Sequence, residues 1–447
     1  MSLRSHPAAS LRGSARLPGD KSISHRAALL GAMADGRSRI DGMLRAGVTQ
    51  VMLQSLADLH IDWTWDGEAL IMEGAGRKGF PSPSTTMGKG EAKPLNCGNS
   101  ATTMRLLTGA LAGQPVWNPV SHPPEFIING SQQLQKRPMN RVIEPLCEMG
   151  AEIRSIEGTG CAPLAVRPTA LKGIEYRMPV ASAQVKSAIL FAGLYASGST
   201  LVEEPSPSRD HTERLLRWLG ARVEGEQRRA RVFPLQAPLP PLEFRVPGDF
   251  SSAAFLLAAA SIVPGSEVLV QGVGLNPRRT GLLAVLRRMG ADIDEQSQSE
   301  SAGEPVGDLR VRAHPLQGTV IDGSEVVDMI DEFPVLAVAA ACADGITEVR
   351  NAAELRHKES DRISVLAVEL RKLGIAIEES PDGFSIRGPA DILGGHADSH
   401  GDHRLAMSLA VAGMASQNGV EIGEPECIGE SFPGFESLFN SLGARLE

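Results

Sequence analysis

The chain has 447 residues, of which 42% are apolar and 22% charged, and its formal net charge is -9. This length suits two or three globular domains, while the negative charge and an aromatic content of only 4% argue against nucleic-acid binding. Five cysteines without Cys-x-x-Cys spacing argue against a disulfide framework or a zinc site, and no apolar run reaches the ~18 residues of a membrane span, so we expect a cytoplasmic protein.

The strongest pattern along the chain is a repeated helix ending, in which apolar-x-x-apolar-Gly precedes alternating residues that suit a half-buried strand. A chance origin is the alternative, since such endings are common. The copies lie at 146–150, 216–220, 286–290, 370–374 and 439–443, with a degenerate first copy at 56–60. Three copies on each side of about residue 247 predict an α/β protein of two similar halves with three helix-and-strand units each.

Polar residues stand at the start of several predicted helices in the first half. Asp20 is a plausible N-cap for a helix on which Ser22 and Arg26 share one face. Small polar residues at 98–103 and at 182–184 precede two more apolar helices. Plain helix capping explains each of these starts equally well when it is taken alone.

The helix starts of the second half are cationic, with Lys358 and Arg362 before one helix and Arg404 at another. A cation there opposes the helix dipole at a cost of ~0.3 to 1 kcal/mol, which a bound anion would reverse. The alternative is a solvated surface ion-pair cluster. Repetition at several helix starts favours a site for multiply anionic ligands.

Nine sequence motifs, in their order along the chain, resemble those of the 5-enolpyruvylshikimate-3-phosphate synthase family. The resemblance extends from residue 18 to residue 435. The motifs lie at 18–26, 98–102, 136–139, 182–184, 209–213, 249–252, 331–334, 358–362 and 402–404.

The resemblance implies an enolpyruvyl transferase fold, an inside-out α/β barrel of two similar domains with three helix-and-sheet units each in pseudo-threefold symmetry. One domain is then discontinuous, comprising 1–19 and 248–447, and the other spans 20–247. Hinges are expected near 19–20 and 247–248.

Matching the family's motifs residue by residue implies two sets of contacts. Those to 3-phosphoshikimate are Lys21, Ser22, Arg26, Ser182, Ala183, Gln184, Arg209, Asp331 and Lys358. Those to phosphoenolpyruvate are Lys21, Gly98, Asn99, Ala101, Arg137, Gln184, Arg362 and Arg404.

The implied reaction is addition of the 5-hydroxyl to phosphoenolpyruvate followed by elimination of phosphate, with no metal or redox cofactor. Asp331 is the candidate base for the hydroxyl and Glu359 the candidate proton donor and acceptor, with Lys21 and His403 assisting. Which carboxylate performs which proton transfer stays open. The expected protein is a monomer that binds two small substrates and neither nucleic acid nor a membrane.

The sequence departs from the family pattern at several positions. An acidic pair usually stands where this chain has 45–49, and a lysine where it has Glu430. Ala101 replaces the usual glycine, as in family members that tolerate glyphosate, so we expect glyphosate to be a weak inhibitor.

Three other functions are compatible with parts of the sequence. The sister enzyme that transfers enolpyruvate to a UDP-amino sugar, UDP-N-acetylglucosamine, shares the fold but uses a loop cysteine. A P-loop kinase needs Gly-Lys, which Asp20 interrupts here. A noncatalytic anion-binding protein is the third alternative, because a protein can keep the fold of an enzyme family without its activity.

Overall fold

A computed structural model describes residues 2–81, 93–115, 125–323 and 325–447. The chain divides into two compact units. The terminal unit comprises Met1–Asp20, Pro247–Glu300 and Pro305–Glu447, and the central unit comprises Lys21–Val246 with Ser301–Glu304. The sequence analysis places this last tetrapeptide in the discontinuous domain, whereas its contacts belong with the central unit. The hinges expected beside these boundaries stay a prediction.

The strands are short and are spread along the whole chain. In the described residues they are β1 (Ser2–Ser5), β2 (Arg12–Arg16), β3 (Asp35–Asp41), β4 (Trp63–Asp66), β5 (Ala69–Ala75), β6 (Leu95–Asn96), β7 (Phe126–Asn129), β8 (Glu152–Ser155), β9 (Leu164–Arg167), β10 (Glu175–Arg177), β11 (Thr200–Glu203), β12 (Val223–Glu224), β13 (Arg229–Val232), β14 (Glu243–Arg245), β15 (Glu267–Gly274), β16 (Asp292–Ser301), β17 (Glu304–Arg312), β18 (Val320–Ile321), β19 (Gly345–Val349), β20 (Ile377–Ser380), β21 (Gly383–Gly388), β22 (Gly395–Asp398) and β23 (Val420–Gly423).

Helices alternate with these strands. The α-helices of the described ranges are α1 (Lys21–Met33), α2 (Gly47–Asp58), α3 (Ala101–Gly113), α4 (Asn140–Glu148), α5 (Ala183–Gly193), α6 (His211–Trp218), α7 (Phe250–Ile262), α8 (Gly281–Arg288), α9 (Glu325–Asp328), α10 (Phe333–Cys342), α11 (Arg362–Lys372), α12 (His403–Ala415) and α13 (Phe435–Ser441). Short 3-10 helices occupy Gly76–Lys78, Leu134–Lys136, Ala353–His357 and Pro425–Glu430.

Within the described residues each unit contains three sheets of one topology. The central unit has the orders β14-β3-β5-β4, β6-β7-β9-β8 and β10-β11-β13-β12, and the terminal unit has β2-β15-β17-β16, β18-β19-β21-β20 and β22-β23-β1. In every order the first pair of strands is parallel and the second pair is antiparallel. The six sheets are therefore copies of one repeated motif. The sixth sheet is completed by the N-terminal strand β1.

Two of these copies exchange their first strands. β2 comes just before α1 in the chain but pairs with β15, with Ser14 opposite Leu269. β14 comes just before α7 but pairs with β3, with Phe244 opposite Ile40. As a result, each of these two sheets contains one strand from a distant part of the sequence.

Each of the six copies contains two main helices, and a residue in the left-handed backbone conformation ends the second one. Glycine adopts a positive φ without the steric penalty that a Cβ brings, which explains its position just past each apolar stripe. The φ values are 101° at Gly150, 82° at Gly220, 99° at Gly290, 89° at Gly374 and 104° at Gly443, and the degenerate copy ends at His60 with 58°. The repeat found in the sequence is confirmed.

The first helix of each copy is buried on nearly all sides. In α7 every residue from Phe250 to Ser261 is buried, which explains why its apolar residues follow no one-sided stripe. α3 and α5 approach so closely that a Cβ on Gly109 would lie 2.2 Å from the Ala188 carbonyl oxygen. Each unit thus packs its sheets around a bundle of buried helices, and the predicted α/β fold of two three-fold repeated domains is confirmed. Among the described helices, none has the length and apolar character that crossing a membrane requires.

Candidate functional site

The start of α1 presents a buried arginine. Arg26 is 2% exposed, and its guanidinium donates from Nε to Thr212 Oγ1 at 2.7 Å and from Nη2 to Ser187 Oγ at 2.8 Å. Its Nη1 donates to the carbonyl of Ser22, one turn earlier, at 2.9 Å. These neutral acceptors fix the direction of a cation beside the half-buried Lys21 and Ser22.

His25 links the start of α1 to the start of α3. Its Nδ1 lies 2.7 Å from the Lys21 carbonyl, and its Nε2 lies 3.0 Å from the Val48 carbonyl and 3.2 Å from Ser100 Oγ. Burial lowers the pKa of His25 to about 4, and the positive charge of Lys21 acts in the same direction. His25 thus acts as a structural link between these segments.

The start of α3 is a capped, half-buried turn. Ser100 Oγ accepts from the backbone N–H of Thr103 at 3.1 Å, which leaves Ala101 as the first helical residue, 4% exposed. Gly98 has a φ of 52°, and Asn99 donates to Gln133 Oε1 at 2.9 Å. Backbone N–H groups at such a helix start suit an anion.

The start of α5 lies beside that of α3. Ser182 Oγ accepts from the backbone N–H of Val185 at 3.4 Å, as expected of an N-cap. Gln184 donates from Nε2 to Thr102 Oγ1 at 2.8 Å, and its Oε1 accepts from the guanidinium of Arg105. Arg105 was not among the expected site residues, although it lies one turn after Ala101.

A buried ion-pair cluster holds the segment that contains Arg209. Lys186 Nζ lies 2.7 Å from Glu204 Oε2 and 2.8 Å from Glu213 Oε1, and all three side chains are buried. Glu204 also accepts from Ser208 Oγ. This cluster fixes the chain on both sides of the half-buried Arg209.

In the terminal unit, Arg362 is surrounded by three carboxylates. It is 2% exposed and donates from Nε to Asp402 Oδ2 at 2.8 Å, from Nη1 to Asp331 Oδ1 at 3.2 Å and from Nη2 to Glu359 Oε2 at 2.8 Å. These carboxylates raise the pKa of Arg362 further despite its burial. Arg362 and Asp402 are buried, so the ion pairs of Arg362 are not those of a fully solvated surface cluster.

Arg404, near the start of α12, joins the same group. Its Nη2 lies 3.6 Å from Asp331 Oδ2 and its Nη1 lies 3.8 Å from Glu332 Oε1. Asp402 caps α12 by accepting from the backbone N–H of Arg404 at 2.9 Å. His403 is buried as the first residue of the helix.

Lys358 lies just before this group and is half-buried. Burial lowers its pKa, and the positive charge of Arg362 acts in the same direction, against the attraction of Asp331. An incoming anion would favour the charged form of this amine.

The expected site residues divide into two groups by the unit that carries them. The central group comprises Lys21, Ser22, Arg26, Gly98, Asn99, Ala101, Arg137, Ser182, Ala183, Gln184 and Arg209, and the terminal group comprises Asp331, Lys358, Glu359, Arg362, His403 and Arg404. Within the described residues, no set of three or more His, Cys, Asp or Glu side chains is arranged to hold a metal ion.

Comparison with known protein families gives a match over most of the chain. The family model described as EPSP synthase (3-phosphoshikimate 1-carboxyvinyltransferase) matches residues 6–439. The chain belongs to the EPSP synthase family. The resemblance recognised in the sequence is thus confirmed, as is the enzyme class.

Curated relatives of this family match over nearly the whole chain. A 3-phosphoshikimate 1-carboxyvinyltransferase from Citrifermentans bemidjiense is 47% identical over 439 residues, which cover 98% of both proteins. Another from Xanthomonas campestris pv. campestris is 49% identical over 438 residues, covering 98% of this chain and 96% of the relative.

Solved structures show the same fold. An EPSP synthase from Acinetobacter baumannii superposes with a TM-score of 0.88 at 38% identity, covering 100% of this chain and 99% of that structure. The enolpyruvyl transferase NikO from Streptomyces tendae has a TM-score of 0.78 at 17% identity, covering 100% and 98%, and shares the fold.

The positions that depart from the EPSP synthase pattern have distinct surroundings. The Arg45 guanidinium stacks 3.8 Å from the centre of the Trp65 ring, and the Val48 carbonyl faces His25. Glu430 ends a 3-10 helix and is half-buried, next to the buried Ser431. The usual family lysine is thus replaced by a carboxylate close to the terminal group's helix α12.

Proposed function

We propose that this enzyme transfers the enolpyruvyl group of phosphoenolpyruvate to the 5-hydroxyl of 3-phosphoshikimate and releases phosphate, as a step of the shikimate pathway towards aromatic amino acids. The observation that carries the proposal is the placement of Asp331 and Glu359, both bound by the buried Arg362. Membership of the EPSP synthase family supports the choice of substrates.

Anion binding follows from the cations at the helix starts. Arg26 donates to Thr212, Ser187 and the Ser22 carbonyl, which orient its guanidinium at the start of α1, where we propose that it binds a phosphate. Arg362 and Arg404 are bound to carboxylates, and an incoming carboxylate or phosphate exchanges with those partners. The planar guanidinium has several N–H donors, so it can form two parallel hydrogen bonds to the incoming anion.

Proton transfer is assigned to Asp331 and Glu359, two of the three carboxylates that accept from Arg362. Asp331 is the proposed base for the 5-hydroxyl, and Glu359 is proposed to protonate C3 of phosphoenolpyruvate as the hydroxyl adds to C2 and to remove a proton from that carbon as phosphate leaves. Both are half-buried, so both can reach a ligand, whereas Asp402 is fully buried against Arg362. Lys21 and His403 are proposed to assist.

The alternative activities receive less support. Cys97, the thiol that precedes the Gly98 turn, is fully buried, and burial raises its pKa, so it is not a reactive loop thiol like that of the UDP-N-acetylglucosamine enzyme. In a P-loop the backbone N–H groups surround phosphate, but the N–H of Asp20 donates to the Pro247 carbonyl at 2.8 Å. Measured turnover distinguishes an enzyme from a noncatalytic binding protein.

Weak inhibition by glyphosate is part of the proposal. Ala101 is buried at the first position of α3, where a methyl group occupies space beside the proposed phosphoenolpyruvate contacts. The monomeric state and the cytoplasmic location expected from the sequence stay predictions.

Release of inorganic phosphate tests the proposal directly. The purified protein is incubated with phosphoenolpyruvate and 3-phosphoshikimate together, with each alone, and with phosphoenolpyruvate plus UDP-N-acetylglucosamine, all in the presence of a chelator. We expect phosphate only with the first pair. Release without 3-phosphoshikimate, or no release with the pair, would contradict the proposed transfer.

A further inference from the structure

The chain passes from one unit to the other at two identical tripeptides. Pro18-Gly19-Asp20 precedes α1, and Pro247-Gly248-Asp249 precedes α7. The two segments bind each other symmetrically, because the N–H of Asp20 donates to the Pro247 carbonyl at 2.8 Å and the N–H of Asp249 donates to the Pro18 carbonyl at 2.9 Å. This pairing brings two aspartate side chains together.

A single arginine holds both aspartates. Arg279 Nη2 donates to Asp20 Oδ2 at 3.0 Å and to Asp249 Oδ1 at 2.5 Å, and each of the three side chains is 4% exposed. Two buried carboxylates that contact the same nitrogen repel one another unless a cation or a shared proton lies between them. Consistent with this, burial and the charge of Asp20 raise the pKa of Asp249 to about 6.

From Asp249 a chain of contacts leads to the terminal group of the proposed site. Asp249 Oδ1 caps α7 by accepting from the N–H of Ser251 at 3.1 Å. Ser251 Oγ donates to Glu332 Oε1, and that oxygen lies 3.8 Å from Arg404 Nη1. Ser251, Glu332 and Arg404 are all buried, so each has little freedom to move independently.

We propose that Arg279 is a positioning residue for phosphoenolpyruvate, acting through Asp249, Ser251 and Glu332 on Arg404. This inference rests on the proposed function. The competing view is that Arg279 only neutralises two buried acids and has no effect on the site beyond stability.

A double variant separates these views. Arg279→Gln leaves two buried carboxylates without their shared cation, so its Tm and its activity should both fall. Arg279→Gln with Asp249→Asn restores the wild-type net charge of the cluster, one negative charge, and asparagine still caps α7. We expect the Tm to recover in the double variant while KM for phosphoenolpyruvate stays at least ~10-fold above wild type, because the shared donor is still missing.

Arg278→Gln is the matched control, since Arg278 is the adjacent half-buried arginine and should give wild-type Tm and KM. A double variant whose KM returns to the wild-type value together with its Tm would overturn the positioning role. The double variant carries the test even where Arg279→Gln alone does not fold. An inactive wild-type protein would instead refute the proposed function, so the two failures are distinguishable.

Discussion

Arg362 donates from Nη1 to Oδ1 of Asp331 at 3.2 Å, and this contact directs a carboxylate without burying it completely. We expect Asp331→Asn to lower kcat by at least ~100-fold while KM changes much less, because the amide still accepts from Arg362 but no longer takes up a proton. Steady-state phosphate release at saturating substrates measures both constants.

Glu359 accepts from Nη2 of the same guanidinium at 2.8 Å. Glu359→Gln should also lower kcat by at least ~100-fold, since the proposed exchange of a proton with C3 needs an acid that ionises. Glu354→Gln provides the control, because Glu354 is another half-buried carboxylate of the same segment without a proposed role. Turnover within a few-fold of wild type in Glu359→Gln would remove Glu359 from the mechanism.

Cys97 offers a test against the sister activity. Its side chain is fully buried in the core of the central unit, and burial raises the pKa of its thiol. Cys97→Ala should therefore keep wild-type kcat/KM in the phosphate-release assay, at the cost of a modest decrease in Tm from the smaller side chain. Loss of activity in a variant with a wild-type Tm would point to thiol chemistry.

Much of the fold was predictable because its repeat is local. In five of the six copies a glycine with a positive φ lies just past the second helix, and this glycine marks the copy in the sequence. The exchange of β2 and β14 could not be read in this way. Each strand pairs with a partner more than 200 residues away, and nothing in its few residues specifies that partner.

In the proposed site, too, some residues could be predicted from the local sequence and others could not. Its charged residues stand at helix starts against the dipole rule, which made them visible one by one. His25, Arg105 and Arg279 were missed because what matters about them is a contact with a distant segment. A buried histidine or arginine is indistinguishable in sequence from an exposed one, so only the structure shows what it holds.

The raised pKa of Asp249 leads us to expect that the free energy of unfolding depends on pH. Burial and the charge of Asp20 raise its pKa to about 6, against the attraction of Arg279 and Arg404. A raised carboxyl pKa means that folding favours the protonated form, so this contribution is present at low pH and is lost as pH rises from ~4 through about 6. Above that range the charged form costs about 3 kcal/mol relative to an ordinary aspartate.

Asp249→Asn removes this titration. We expect the free energy of unfolding of wild type, minus that of the variant, to decrease as pH rises from 4.5 to 7.5, by about 1 to 3 kcal/mol. Denaturant unfolding at several pH values measures the difference. A difference that stays constant over this range would show that Asp249 is already ionised in the folded protein at low pH.

The position of Ala101 leads to a prediction on inhibition. Ala101 begins α3 directly after the Ser100 cap, and its methyl group is 4% exposed, so the surrounding side chains leave it little room to shift. Glyphosate is longer than phosphoenolpyruvate, and an added methyl in a close-packed site costs ~1 to 3 kcal/mol, or roughly tenfold to hundredfold in binding. The shorter substrate should be affected less.

Ala101→Gly should therefore lower the ratio of the glyphosate inhibition constant to KM for phosphoenolpyruvate, by about tenfold or more. The ratio is the informative quantity, because Glu430 stands where the family has a lysine and could weaken both ligands together. Glycine also costs ~1 kcal/mol in helix propensity, so the variant's Tm is compared with that of Ala183→Gly, the same change at the first residue of α5. An unchanged ratio in a folded Ala101→Gly protein would exclude the methyl group as the cause of tolerance, whereas a decrease in KM alone would mean that it hinders substrate and inhibitor alike.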